Sequence, residues 1–182
     1  MEKEIVIRFM ADVKKESIDA LFHAIDIKLK EGIKKFKILI SSPGGTVFHG
    51  ISAYNFLKGI PAEIETYNFG TVDSIATVIY CAGSKRFCVP NARFLIHGVG
   101  WGTNGPARFE EKQLKEQIKG LEIDRENIAR IIAENCNKKP EEVEKMMYDG
   151  TTLNPEQAKE FGLVHDIKEI KLLENVEIIA IN

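Results

Sequence analysis

The order of the secondary structure is set by one stretch, KFKILISSPGGTVFHGISAYNFL, at residues 35–57. Its first six residues, Lys35 to Ile40, are largely apolar and predict a β-strand. Ser41 to Gly45 is a cluster of residues that break regular structure, and it ends the strand. Val47 to Leu57 then predicts a helix. The stretch is typical of a strand–turn–helix unit with glycine at the turn.

The same order recurs on both sides of this stretch. Glu4 to Met10 alternates in polarity and predicts a strand, and the apolar residues from Ile18 to Leu29 recur at helical spacing. Ala62 to Tyr67 predicts a strand that ends at Gly70, and Asp73 to Cys81 predicts an apolar helix. Two short strands are expected next, at Lys85 to Val89 and at Arg93 to Ile96.

The second half of the chain predicts more helix than strand. Apolar residues between Ala107 and Asn135 follow steps of three and four, which predicts one long amphipathic helix. Pro140 fits the first position of a further helix, and Asn154 fits an N-cap. Val176 to Ile181 resembles a strand. Because parallel neighbours need helical crossovers, the alternation predicts an α/β fold with a largely parallel sheet.

Size and composition narrow the class of protein. The chain has 182 residues, 44% hydrophobic and 29% charged, with a net charge of -2. These values predict one globular domain over residues 1–182 and exclude disordered and fibrous classes. The near-neutral charge gives no reason to expect nucleic acid as a partner. The longest apolar run, Ile75 to Ala82, is too short to cross a bilayer, and the N-terminus does not look like a secretion signal, so we expect no membrane association.

The cysteine pattern points in the same direction. Cys81, Cys88 and Cys136 are odd in number, and no histidine lies at ligand spacing from any of them. We therefore expect reduced thiols, no metal site and a cytoplasmic location.

Ser74 is the candidate nucleophile. The turn Gly70 to Asp73 delivers it from a strand to the first turn of an apolar helix, where unpaired backbone N–H groups favour a developing anion. The alternative is that Ser74 only caps the helix, which is the commoner role of a serine at a helix start.

His97 is the candidate general base. It follows the apolar residues Phe94 to Ile96 and precedes Gly98, so it should stand at the end of a strand, where open α/β sheets bind ligands. Its imidazole titrates in the range that a general base needs, although most histidines are structural or solvated. The other three histidines have no better claim.

Two glycine segments could have a function. Glycine in Ser42 to Gly45 lets backbone N–H groups approach a bound oxygen, as an oxyanion hole requires, and the alternative is a plain strand–helix turn. Gly100 to Gly105 matches G-x-G-x-x-G, but a dinucleotide site needs a strand ending in an acidic residue about 20 positions on. That stretch, Ile118 to Ile132, is predicted to be helical. We therefore interpret this segment as a flexible loop.

Four motifs, in this order and at these separations, resemble the Clp protease proteolytic subunit family (ClpP). The resemblance runs from about Glu4 to Ile167, and the wording of the first three motifs is closest to ClpP-like proteases of phage and prophage head-assembly clusters. The motifs are Ile40 to Val47, Gly70 to Ser74 leading to Ala82–Gly83, Pro90 to His97, and Asn154 to Val164.

The resemblance implies a function for each candidate. Ser74 is similar to the family's nucleophile, His97 to its general base, and the N–H groups of Gly45 and Ile75 to its oxyanion hole. The implied activity is ATP-independent peptide-bond hydrolysis by a serine endopeptidase that needs no cofactor. The implied substrate is unfolded or extended polypeptide, bound as an added strand along the loops at Gly44 and Gly98.

The chain departs from the family pattern in three places. Counting back from Gly162 places Gly150 where the family has its acid, so we expect the adjacent Asp149 to be the third triad member. Asp73 stands where the family has a small apolar residue; its carboxylate could cap the helix or oppose charge at the oxyanion hole. The sequence also begins almost at the first strand, where the family has axial loops that help engage an AAA+ unfoldase.

The resemblance further implies the fold and the assembly. The expected fold is a ClpP/crotonase-like spiral of repeated ββα units with a long protruding helix. The expected assembly is a homo-oligomer of heptameric rings, stacked as a tetradecamer through that helix. Feeding by an AAA+ ATPase and a role in phage head maturation both stay open. Two competing hypotheses are a catalytically silent assembly subunit of the same fold and a crotonase-type acyl-CoA enzyme.

Overall fold

The computed structural model describes residues 4–103, 105–172 and 174–182. Asn104, which belongs to the G-x-G-x-x-G segment, lies outside this range, as do residue 173 and the first three residues of the predicted domain. The elements, in chain order, are β1 (Glu4–Phe9), α1 (Lys15–Lys30), β2 (Lys35–Ser42), α2 (Val47–Gly59), β3 (Glu63–Asp73), α3 (Ala76–Tyr80), β4 (Lys85–Cys88), β5 (Arg93–Ile96), α4 (Glu111–Cys136), α5 (Pro140–Asp149), β6 (Thr151–Leu153), α6 (Pro155–Phe161), β7 (Asp166–Ile167) and β8 (Glu177–Ile181).

The strands form one sheet that is parallel in every pairing except one. The path runs β6-β5-β3-β2-β1-β8, and β4 joins β3 to β7 off this path. Only β5 and β6 pair antiparallel among the described residues. This confirms the predicted α/β fold with a largely parallel sheet.

The core lies mainly on one face of the sheet, and the alternation of strand side chains explains this. Ile5, Ile7 and Phe9 of β1 point into the large hydrophobic cluster beneath the helices. Val6 points to the opposite face, where it joins a small cluster with Leu39 and Tyr67. Most of the apolar burial that stabilises the fold is therefore between the sheet and its helices.

Strand β3 is longer than the sequence predicts, and helix α3 is correspondingly shorter. β3 first pairs with β4, through Asn68 and Cys88. It then leaves β4 and pairs with β5, with Asp73 opposite Leu95. The prediction that the helix spans Asp73 to Cys81 is therefore wrong at its start. Pairing with β5 is a non-local contact, and it keeps residues 71–73 extended.

Helix α4 begins at Glu111 rather than at the predicted Ala107. The Glu110 N–H donates to Gln113 Oε1 at 2.9 Å, which satisfies an unpaired N–H at this N-terminus. The first half of α4 is exposed along most of its length, whereas the half from Ile128 to Cys136 packs into the core. A long helix protrudes from the domain, as expected.

Candidate active site

Three parallel strands end at the same edge of the sheet and bring the predicted site together. β2 leads into the glycine turn at Gly44 and Gly45, β3 ends one residue before Ser74, and β5 ends one residue before His97. Since β2, β3 and β5 are parallel neighbours, their carboxyl ends meet, which is where α/β sheets place ligands.

Ser74 has a backbone conformation that is unusual for serine. Its φ is +58°, in the left-handed region, and its N–H donates to the carbonyl of Leu95 at 2.7 Å. A positive φ in a non-glycine residue costs free energy and is concentrated at functional sites. A strained serine between a strand and a helix is also the geometry of a nucleophile elbow. The capping alternative is not realised, because Ile75 occupies the N-cap of α3 and no side chain caps it.

A cleft of about 300 Å³ is lined by five of the seven predicted site residues, all except Gly44 and Asp149. Ser74, Ile75, His97, Gly45 and Gly98 all line it. His97 is exposed and Ser74 is half-buried, so both are accessible to a substrate. The remaining wall is largely apolar and includes Val47, Ile96, Val99, Ile128 and Ile132.

The glycine turn is held in place by Val13. The Val13 N–H donates to Gly44 O, and the Thr46 N–H donates to Val13 O, both at 2.7 Å. Gly45 has φ +149°, and a Cβ on it would lie 2.3 Å from Val13 O, so only glycine fits. In the described part of the chain, neither the Gly45 N–H nor the Ile75 N–H donates a hydrogen bond to the backbone. Their role as donors to an oxyanion stays a prediction.

Gly44 lies behind the nucleophile and supports its turn. Its φ is +93°, and a Cβ there would lie 2.7 Å from Ser74 Cβ and 2.8 Å from Asp73 O. These contacts place its backbone against the Ser74 turn. The direct contact with substrate expected for Gly44 stays a prediction.

Asp149 lies close to the strand that carries His97 but has another partner. It is the last residue of α5, and the chain continues through Gly150 into β6, in which Thr151 pairs with Ile96. Its exposed carboxylate accepts a hydrogen bond from Lys145 Nζ at 2.6 Å. Its role as the acid that orients His97 stays a prediction.

The structure shows a role for Asp73 that the sequence did not indicate. Its buried carboxylate accepts hydrogen bonds from Thr71 Oγ1 at 2.7 Å and from Arg93 Nη2 at 2.8 Å. It therefore caps no helix, and its charge is paired. Arg93 was missed because only the register of β3 and β5, with Thr71 opposite Arg93, places the two side chains diagonally across the ladder.

The three thiols are in the core, away from the cleft. Burial raises the pKa of Cys88 to about 11. A hydrogen bond with Cys136 and burial raise the pKa of Cys81 well above its usual value, whereas the same bond lowers that of Cys136. All three side chains are buried and reduced. None of the three cysteines lines the cleft, which leaves Ser74 as the predicted nucleophile there.

Metal binding and membrane insertion are two further possibilities for the chain. Residues 4–103, 105–172 and 174–182 contain no group of three or more His, Cys, Asp or Glu side chains placed to hold a metal ion. Within the same residues, no helix combines the length and the apolar character needed to span a bilayer.

Comparison with known proteins gives consistent matches. The Clp protease family profile matches residues 1–171. A protein of Rhodopirellula baltica named ATP-dependent Clp protease proteolytic subunit 1 is 32% identical over 136 residues, which is 74% of this chain and 58% of the relative. The ATP-dependent Clp protease proteolytic subunit of Bdellovibrio bacteriovorus is 30% identical over 141 residues, 75% of this chain and 65% of the relative.

A solved structure gives the same result at the level of the fold. A point mutant of ClpP1 from Listeria monocytogenes superimposes with a TM-score of 0.80 at 26% identity, covering 93% of each chain. The match to the two curated relatives spans less than two thirds of their length. Together with the family profile, which matches nearly the whole sequence, these similarities show that the chain belongs to the Clp protease family.

Proposed function

We propose that this protein is a ClpP-type serine endopeptidase with Ser74 as nucleophile and His97 as general base. The observation that carries the proposal is that Ser74, at φ +58°, lines the same cleft as His97. Gly45 of the glycine turn and Ile75 at the start of α3 line this cleft too, and each has a backbone N–H group. Such a set is recognised by its geometry and its roles.

The residues account for each step of the reaction. A ring nitrogen of His97 takes the Ser74 Oγ proton while Oγ attacks the peptide carbonyl carbon. The Gly45 and Ile75 N–H groups donate to the oxyanion, which collapses as the C–N bond breaks. As this bond breaks, His97 gives the proton to the leaving nitrogen, which departs as a neutral amine. Water hydrolyses the acyl-enzyme by the same steps, with His97 as base again.

The cleft favours an extended polypeptide with an apolar residue before the scissile bond. Val47, Ile128 and Ile132 provide apolar lining, and burial of an apolar side chain against them contributes about 25 cal/mol per Å². Gly98 lines the cleft at the end of β5, where a substrate strand could bind through its main chain.

We also propose that the active unit is an oligomeric chamber built from rings. Leu114 and Ile118 of α4, which lie one helical turn apart on the same face, are 44% and 56% exposed, and they leave an apolar stripe that a neighbouring subunit can cover. Heptameric rings stacked as a tetradecamer are the arrangement that the family resemblance implies. The two relatives are named as ATP-dependent, and an AAA+ unfoldase is the ATP-consuming partner that the family resemblance implies.

Peptidase activity tests the proposal. The assembled protein should cleave a fluorogenic peptide with an apolar residue at P1, and Ser74→Ala should lose turnover by about 10³-fold or more. Ser52→Ala is the matched control, because Ser52 is exposed on α2 and its hydroxyl bonds only Phe48 O at 2.7 Å. Equal activity of wild type and Ser74→Ala would refute the assignment.

A catalytically silent assembly subunit is the second candidate. The observation in its favour is the Lys145–Asp149 ion pair, which occupies the carboxylate expected to orient His97. An assembled protein that forms no acyl-enzyme with any peptide would support this candidate. Family membership argues against the acyl-CoA alternative, for which tight binding of a coenzyme A thioester would be the sign.

A further inference from the structure

An ion pair between a buried carboxylate and a half-exposed guanidinium joins the two strands that carry the proposed nucleophile and base. Asp73 directly precedes Ser74, and its side chain is only 7% exposed. Its Oδ2 lies 2.8 Å from Arg93 Nη2, and its Oδ1 accepts from Thr71 Oγ1 at 2.7 Å. A buried carboxylate is stable only when it is paired and hydrogen-bonded, so Asp73 fixes the position of the half-exposed Arg93.

The backbone contact between these strands is short. β3 pairs with β5 over three residues only, 71–73 with 93–95, after β3 has left β4. The Ser74 N–H to Leu95 O bond is the last link before the cleft. Slippage of this ladder by one residue would move Ser74 by about 3.3 Å relative to His97. The relative position of hydroxyl and imidazole therefore depends on what fixes this ladder.

Arg93 is bound to β3 through both its side chain and its backbone. Its guanidinium binds Asp73, and its carbonyl accepts from Asn68 Nδ2 at 2.7 Å. Asn68 is fully buried. Arg93 lies four residues before His97, so it anchors the strand from which the imidazole projects.

We propose that Asp73 and Arg93 form a positioning clamp that sets the Ser74–His97 geometry for proton transfer. The clamp rests on the proposed function, and it assigns to Asp73 a role other than helix capping or opposition to the oxyanion. Neither residue lines the cleft. Loss of the clamp should therefore slow the chemical step and leave substrate binding nearly unchanged, because displacement of a catalytic pair by about 1 Å can cost about 100-fold in rate.

The closing experiment compares Arg93→Met, Arg93→Lys and Asp73→Asn with wild type. The two measurements are kcat and KM for a fluorogenic peptide and the rate of labelling by a fluorophosphonate. Arg93→Met and Asp73→Asn should lower kcat by about 30- to 100-fold while KM changes less than about threefold. Arg93→Lys, which keeps the charge, should recover activity to within about fivefold of wild type.

Arg8→Met is the matched control for loss of one arginine charge, because Arg8 is exposed on β1, away from the cleft. It should keep wild-type kcat. If the pair had only a structural role, the variants would have a lower melting temperature and contain less folded protein. Each folded site would still be labelled at the wild-type rate. Should Arg93→Met fail to fold, Asp73→Asn, which preserves the side-chain size, gives the same readout.

The outcomes separate the two proposals. If wild type is labelled at Ser74 and the folded variants are labelled at the same rate, the clamp is refuted and the protease assignment stands. If folded, assembled wild type is not labelled at all, the proposed function is refuted and the clamp with it. Slow labelling of both clamp variants, with recovery in Arg93→Lys, supports the clamp.

Discussion

At the scale of single residues, the site depends on backbone conformations that only a few residue types tolerate. Ser74 adopts φ +58°, and Gly44 and Gly45 adopt positive φ directly beside it. Gly44 has no room for a side chain, because a Cβ would approach Ser74 Cβ and Asp73 O to 2.7 and 2.8 Å. The two turns therefore fit against each other, and each constrains the other.

Replacement of Gly44 should damage the turn and the activity together. We expect Gly44→Ala to lose peptidase activity by about 100-fold and to lower the free energy of unfolding by about 1–3 kcal/mol, because Ala at this φ is strained and collides with the Ser74 turn. Activity assays and urea denaturation measure the two effects. Gly120→Ala is the control: nothing lies within 4 Å of its added Cβ, and it lies inside α4, so stability should stay or rise. Wild-type activity in Gly44→Ala would contradict this view of the turn.

If Asp149 is the acid that orients His97, replacing it and replacing its ion-pair partner Lys145 should change kcat differently. Asp149→Asn should lower kcat by about 10²- to 10⁴-fold, because an imidazole without a carboxylate loses its orientation. Lys145→Ala frees the carboxylate and should keep or raise kcat. Peptide turnover measures both.

Asp19→Asn is the control for the Asp149 experiment, because Asp19 forms the same kind of exposed pair with Lys15 one helical turn away. It should leave turnover unchanged. Equal turnover in Asp149→Asn and Asp19→Asn would show that Asp149 is not the acid and that the site works as a Ser–His dyad.

The sequence allowed prediction of those site residues whose signals are local or belong to a motif. Ser74, His97 and the glycine turn follow breaker residues or strand ends that are visible in the chain, and the structure brings them into one cleft. The Asp73–Arg93 pair has no local signal, since its partners are 20 residues apart and meet only through the β3–β5 register. The Lys145–Asp149 pair, in contrast, is local, because its partners lie one helical turn apart in α5.

At the scale of elements, one buried arginine joins the ends of several segments. Arg86 of β4 donates to the carbonyls of Leu163 at 2.8 Å, Asn135 at 2.7 Å and Gly162 at 3.1 Å. It also donates to Gly83 O at 3.3 Å. Asn135 lies in the last turn of α4 and Gly162 caps α6, where unpaired carbonyls and the helix dipole favour a cation.

Removal of this arginine should destabilise the whole domain. Arg86→Met leaves buried carbonyls without donors, and we expect the free energy of unfolding to fall by about 3 kcal/mol or more. Urea denaturation at matched protein concentration measures this. Arg130→Met is the control, because Arg130 is exposed on α4 and bonds only Asn127 at 2.8 Å. A loss in Arg86→Met no larger than in Arg130→Met would contradict the proposed role.

Element boundaries were predictable where a cap or a proline marks them. Asn154 is the N-cap of α6, as predicted: its Oδ1 accepts from the Gln157 N–H at 2.9 Å, and the helix starts at Pro155. The boundary between β3 and α3 was misplaced because Gly70 was interpreted as the end of the strand, whereas the β-branched Thr71 and Val72 that follow it also suit a strand. Pairing with β5, a contact distant in sequence, decides between them.

At the scale of the whole molecule, α4 combines two environments. Its C-terminal half packs into the core. Ile128 and Ile132 of this half also line the cleft. Its N-terminal half projects outward and exposes Leu114 and Ile118. The helix therefore connects the site with the surface on which we expect subunits to meet.

A charge on the projecting half should disrupt assembly without unfolding the domain. Ile118→Glu places a carboxylate on the exposed apolar stripe, and we expect sedimentation velocity to show a smaller species with an unchanged circular dichroism spectrum. Lys112→Glu is the control, because Lys112 is solvent-exposed on the same helix. An assembly of wild-type size in Ile118→Glu would place the subunit contact elsewhere.

The central claim is that the Ser74 hydroxyl is activated by His97 beside two free backbone N–H groups. Mapping the site of a fluorophosphonate adduct by peptide mass spectrometry tests it directly, in the assembled wild-type protein and in His97→Ala. We expect one adduct, on Ser74, in wild type and a reaction at least about 100-fold slower in His97→Ala. An adduct on another residue, or equal labelling of Ser74 in both proteins, would contradict it.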